Sequence, residues 1–351
     1  MKQFLIKLSY TVLPVWLLFV GLVCYVSLAV IPNMRGDLEV LALTTFDPHY
    51  TERLQQQAEK ELLYPTIDAA GGAVRSRQQD VTTVGDSFSQ MGLDGYQNYL
   101  CLQGLTVTNI HVGKFDNPLE VAYRMLDQGL IDSTNTRVLV IESAERMIEQ
   151  RVAEFLPEGP LPAVRQQAEG TAKNTPSGNE NQWSLARTRD FIYYRLIKSP
   201  VLSAKLDGDF FTADDPAMLY FYTDDLTSPP RFQEEHREAL LACFGTLCRK
   251  AEEKGVYPIV LIATDKYDFY QQHIIDNPWP AKTVLEDMAQ TIGDTPHLLL
   301  SKPYLTPLLE RGEKDIFKYN DTHWSWKASR VVADELARRI NTSVPRRRAR
   351  S

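Results

Sequence analysis

The chain of 351 residues has few cysteines and no framework among them. Cys24 lies in an apolar N-terminal run and Cys101 stands alone. Cys243 and Cys248 are five apart in an expected helix, which puts them on different faces. A pairing among Cys101, Cys243 and Cys248 stays open, because spacing does not decide it. No Cys-x-x-Cys and no Cys/His ligand spacing is present, which argues against a zinc site; no metal or soluble cofactor is expected. The chain also lacks a surplus of positive charge. Its net charge of −7 argues against nucleic acid as the main partner. The one basic cluster, Arg346-Arg347-Arg348-Ala349-Arg350, is read as a solvated tail. Internal repeats are lacking too, which excludes a solenoid.

What is present suits a globular protein with one large domain or two modest ones. At the N-terminus Lys2 and Lys7 precede an uncharged stretch from Leu8 to Met34. Its most apolar part, Tyr10 to Ile31, has the ~20 residues a helix needs to cross a bilayer. The lysines favour a cytoplasmic N-terminus, and this predicts a single-pass inner-membrane anchor with the rest in the periplasm. A cleaved signal peptide, with Ser27-Leu28-Ala29 as the cleavage site, is the rival reading. The expected organisation is a cytoplasmic tip and anchor over 1–37 and a helical connector over 38–80. A catalytic domain over 81–342 and a basic tail over 343–351 follow.

Val81-Thr82-Thr83-Val84 is β-branched throughout and predicts a buried strand. Strands are also predicted over Leu105–Ile110, Arg137–Glu142, Tyr257–Ala263 and Leu298–Leu300, with helices near Leu119–Gln128, Arg231–Glu253 and Ser325–Ile340. Continuously apolar strands alternating with helices indicate an α/β fold, a doubly wound and mainly parallel sheet in three layers. An insertion of about 150–228 interrupts it, rich in Pro and Gly over 156–185. Trp183–Leu202 is expected as a helix there, and Met218–Tyr222 as part of a hairpin.

Two stretches carry the chemistry. Gly85-Asp86-Ser87-Phe88 follows the first strand, at the edge of the sheet where ligands of open α/β folds bind. Asp321-Thr322-His323-Trp324 precedes the last helix. A serine becomes a nucleophile beside a base, and an aspartate can hold that base in the right tautomer. Ser87, His323 and Asp321 are therefore the candidate catalytic residues, with Trp324 beside the histidine to exclude water. Taken singly, Gly-Asp-Ser is a common turn and Asp-x-His a helix cap with a surface histidine. Of the other histidines, His111 alone ends a strand near the same crevice.

Together the two motifs resemble the SGNH (GDSL-type) hydrolase superfamily. The Asp-x-His-Trp form, with Val138 to Arg146 and Ala263-Thr264-Asp265-Lys266-Tyr267, is similar to the AlgJ/AlgX and DHHW group of exopolysaccharide O-acetyltransferases. The resemblance spans about residues 80–340. Two features depart from it. The serine element comes first here, and the superfamily asparagine after the third strand is replaced by a region holding Ser143, Glu145 and Arg146. The resemblance implies that Gly113 supplies a second oxyanion amide beside that of Ser87, and that Lys266 lines the site, with a solvated loop lysine as the other reading. Arg146 is expected to replace the missing asparagine as a donor to the oxyanion or an acidic sugar, or else to form a structural ion pair with a neighbouring carboxylate. It further implies a polysaccharide acceptor and a membrane-bound O-acyltransferase partner as acetyl donor. A carbohydrate acetylesterase and a catalytically silent polysaccharide-binding subunit are the alternatives.

Overall fold

Six parallel strands form the central sheet: β1 (Thr66–Asp68), β2 (Gln79–Gly85), β3 (Val107–His111), β4 (Thr136–Ala144), β7 (Tyr257–Ala263) and β8 (Leu298–Leu300). Their order is β1-β3-β2-β4-β7-β8. A separate antiparallel ribbon pairs β5 (Val201–Lys205) with β6 (Met218–Tyr222). The computed structural model describes residues 2–26, 28, 34–68, 77–112, 116–156, 193 and 199–344. The Ala69–Ala73 loop, the Pro-rich part of the insertion, Gly113 and the arginine tail lie outside the described residues, as does most of the helix expected over Trp183–Leu202. Its last two residues belong to β5 instead.

The pattern of the strands explains the layers. Side chains alternate across a strand, so a continuously apolar strand feeds two cores. Val138 and Val140 of β4, with Ile259 and Leu261 of β7, face one core beneath the helices Tyr96–Leu102 and Trp326–Ser343. Leu139, Ile141, Val260 and Ile262 face the other, under Pro118–Asp127, Glu145–Ala153 and Arg237–Glu253. The strands expected from the sequence are all found, and β7 and β8 have the expected bounds. The chain goes from β2 outward to β3, then returns past β2 to β4. This reversal opens a crevice beyond the carboxyl ends of β2 and β4, the usual place for a ligand.

Two expectations change. The segment after the N-terminal run is no free connector. It forms α2 (Asp37–Ala42) and α3 (Tyr50–Gln55) and then β1, which pairs with β3 at the sheet edge. Tyr50 is fully buried; its hydroxyl accepts from the Tyr319 amide (2.9 Å) and donates to Asp315 Oδ1 (3.1 Å). The polar composition that suggested a connector conceals these anchoring aromatics and apolar side chains. The second change concerns the anchor. A first helix, α1 (Lys2–Tyr25), is present, and its Leu13, Trp16 and Leu18 are exposed. Among the described residues, however, no helix is long and apolar enough to cross a membrane. The span expected over Tyr10–Ile31 is thus unsupported, and part of it lies outside the described residues.

At the end of β2 the backbone of Gly85 passes close to a buried carboxyl. A Cβ there would lie 2.2 Å from Ser89 Oγ and 2.4 Å from Glu142 Oε2. Gly85→Ala is expected to destabilise the domain by about 1–3 kcal/mol through overpacking. Urea denaturation of the purified variant measures it.

Candidate active site

Ser87 opens a short 3₁₀ turn, Ser87–Gln90, directly after β2. The turn is shaped by Asp86, which accepts from the Phe88 amide (3.2 Å) and, across the crevice, from the Ala144 amide (2.8 Å) and Arg151 (2.7 Å). Burial alone would raise the Asp86 carboxyl; the charge of Arg151 and the Ala144 amide outweigh it and hold Asp86 below the usual carboxylate range. Glu142 lies underneath, fully buried, and accepts from Ser89 Oγ (3.0 Å). Burial, reinforced by the charge of Asp86, pushes Glu142 well above its ordinary value. Ser87 itself is exposed, at the mouth of the crevice.

His323 comes from a loop folded back on itself. Phe317 and Trp324 make an antiparallel bridge, the Lys318 amide donates to the His323 carbonyl (3.1 Å), and the Ser325 amide donates to the Ile316 carbonyl (2.9 Å). Asp321 Oδ1 accepts from the His323 amide (3.0 Å) and lies 2.6 Å from Nδ1. Burial disfavours the imidazolium, but the charge and hydrogen bond of Asp321 outweigh it, and His323 is raised above 6.5. Burial likewise works against the Asp321 anion, and the charge of His323 overcomes that, holding Asp321 far below its ordinary range. An ionised Asp321 fixes the proton of a neutral imidazole on Nδ1, leaving the Nε2 lone pair available. Nε2 is buried and has no hydrogen-bond partner among the described residues.

The two stretches meet through Phe88. Its ring centroid is 4.9 Å from that of His323, edge-on, and 4.9 Å from that of Trp324. Trp324 is fully buried and braces Phe88. Asp321 and His323 are thus paired, with Ser87 next in sequence to the ring that packs on the imidazole. Ser87 Oγ does not hydrogen-bond Nε2 in this arrangement. Such contacts commonly tighten only with substrate bound.

The expected lining residues fall elsewhere. Lys266 does not reach into the crevice. Its Nζ is buried and donates to the carbonyls of Lys318 (2.6 Å), Tyr319 (2.9 Å) and Asp321 (3.1 Å), so its donors are spent on the histidine loop. Arg146 pairs with Asp265 (2.8 Å) and Asp225 (3.5 Å), and Asp265 also takes Lys282 (2.9 Å). That network fastens the segment after β6 to the end of β7. Gly113 lies outside the described residues. His111 ends β3, beside Gly85 in the sheet.

Three contributors were not singled out from the sequence. Phe88 is legible only as the residue after the serine. Lys318 binds Asp94 (2.6 Å) behind the loop. Asp37, from the supposed connector, places Oδ2 3.4 Å from His323 Nδ1. No local motif marks it, because its partner is almost three hundred residues away.

Replacing Lys266 by Met removes the donor from three carbonyls at once. Lys266→Met is expected to cost at least about 3 kcal/mol, since each buried acceptor left unsatisfied costs roughly 1–3 kcal/mol. Guanidinium denaturation reads the loss.

Comparison with known families fits this geometry. Residues 219–350 match the family described as SGNH hydrolase-like domain, acetyltransferase AlgX. The matched part contains Asp321 and His323; the serine turn precedes it. No curated protein and no solved structure matches the chain. The mainly parallel α/β sheet fits an SGNH-like fold, and the match makes residues 219–350 similar to the SGNH hydrolase-like domain of the AlgX group.

Proposed function

We propose that the chain is an O-acetyltransferase that works through an acetyl-serine on Ser87. The observation that carries this is the buried Asp321–His323 pair, its Nε2 without a protein partner, packed on the residue next to Ser87. In the first half-reaction Ser87 Oγ attacks the acetyl carbonyl of the donor, and His323 Nε2 takes the hydroxyl proton. Asp321 stabilises the imidazolium. The C–O or C–S bond to the donor breaks, and His323 returns the proton to the leaving group. In the second half a sugar hydroxyl of the acceptor attacks the acetyl-serine carbonyl. His323 takes that proton and gives it back to Ser87 Oγ, and the acetylated sugar leaves. Backbone amides at Ser87 and Gly113 are proposed to hold the oxyanion in both halves.

The acceptor in this reading is an exopolysaccharide or cell-envelope glycan outside the inner membrane. Support for that location comes from the uncharged run Leu8 to Met34, and support for acetyl transfer from the AlgX match. Acetyl-CoA is cytoplasmic, so an exported enzyme takes its acetyl group from a membrane-bound O-acyltransferase. With water in place of the sugar the same site is an acetylesterase.

Ser87→Ala is expected to lower acetyl transfer from a chromogenic acetyl ester to an oligosaccharide by about 10³-fold or more. An unchanged rate would refute the site. The pH profile follows from His323. The base acts when neutral, and its pKa lies above 6.5. Activity should therefore rise with pH through a midpoint above 6.5. A midpoint below that value would contradict the Asp321 pairing.

A further inference from the structure

Resting on the acyl-transfer reading above, we infer that Asp37 is a positioning residue for His323: a second carboxylate on Nδ1, delivered by a clamp between the N-terminal segment and the histidine loop. Asp37 Oδ2 lies 3.4 Å from Nδ1, against 2.6 Å for Asp321. Its side chain is 49% exposed, so it sits on the solvent side of the imidazole while Asp321 sits on the buried side. The imidazole is thus flanked at one nitrogen by two carboxylates and, among the described residues, has no hydrogen-bond partner at the other.

The placement is built into the fold. Glu39 is fully buried, and its Oε2 accepts from Asn320 Nδ2 (3.1 Å), the residue before Asp321. The same oxygen accepts from the amides of Arg35 (2.7 Å) and Gly36 (3.3 Å), and Oε1 from the amide of Phe46 (2.8 Å). The Leu38 amide donates to the Asn320 carbonyl (3.2 Å). Gly36 makes this approach possible, for a Cβ there would stand 2.1 Å from the Asn320 carbonyl oxygen. On the ribbon side Phe46 stacks on Tyr220 at 3.9 Å, and Tyr220 packs edge-on against Tyr319. Residues 35–46 therefore grip the loop at Tyr319 and Asn320, the two residues before Asp321. The grip reaches back to the N-terminal helix, whose following residue Val26 is buried against Met34 and Leu43.

The charges facing the imidazole are Asp321 and Lys318 from its own loop and Asp37 from α2. Lys318 opposes the imidazolium and Asp37 supports it. The neighbouring charge of Asp321 raises the Asp37 carboxyl above its ordinary range, against the charges of His323, Lys318 and Arg146, which favour its anion. When His323 takes the serine proton, the new positive charge lies between two anions, and the ring cannot turn away without losing both.

Asp37→Asn, Asp37→Glu and Ser87→Ala in the full chain test this. Two readouts are followed: the pH dependence of acetyl-ester turnover, and the His323 imidazole titration by NMR, assigned with His323→Gln. Asp37→Asn should lose about fivefold in kcat/KM, the worth of roughly 1 kcal/mol. Its acid limb and its imidazole titration should both move to lower pH, because an anion that favours the imidazolium is gone. Asp37→Glu should restore part of both. An imidazole titration in Asp37→Asn that overlays the wild type overturns the inference. So does loss of wild-type activity to a chelator with recovery on adding zinc or manganese, which would make the three side chains a metal site. If the titration moves but Ser87→Ala stays fully active, the Asp37 pairing stands and the serine assignment falls.

Discussion

A buried ammonium holds the loop on which the chemistry depends. Lys266 leaves the end of β7 and spends its donors on three carbonyls of residues 318–321. Burial pulls its pKa down to about 7, while three carbonyl acceptors call for the three N–H bonds that only the ammonium has. The nearby charge of Asp321 favours that form. The sheet thus reaches the histidine loop through a side chain. Removing one partner from such a buried polar cluster is far more damaging than never having built it.

Around that tether the crevice is assembled from four separate parts of the chain. β2 supplies the Ser87 turn, the C-terminal end of β4 supplies the Asp86 contacts, the loop before the last helix supplies Asp321 and His323, and the N-terminal segment supplies Asp37 and Glu39. Phe88 and Trp324 pack together as an apolar wall beside the imidazole. The ionic network of Arg146, Asp225, Asp265 and Lys282 lies to one side and fixes the β5–β6 ribbon region to the sheet.

The parallel sheet was readable because its strands are buried on both sides and so lose their alternation: Val138 to Ile141 and Ile259 to Ile262 need no partner to be recognised. The Asp321–His323 pair was readable because both residues sit within one tight loop. The role of Lys266 was not, and for Arg146 the ion pair was only one of two open readings. A lysine or arginine at a strand end is expected to face a ligand, and nothing local reveals that carbonyls or aspartates from distant segments absorb its donors. Asp37 was hidden for the same reason, and its segment was taken for a connector because its few buried aromatics are diluted by Gln and Glu. An apolar N-terminal run suggested a membrane span, which the described helices do not support.

Covalent acylation of Ser87 is the central claim, and mass spectrometry of the full chain after brief reaction with an activated acetyl ester tests it most directly. The account predicts one acetyl group on the peptide that carries Ser87, absent from Ser87→Ala and formed far more slowly in His323→Ala. Acetyl on another residue at the same rate in all three proteins would contradict it.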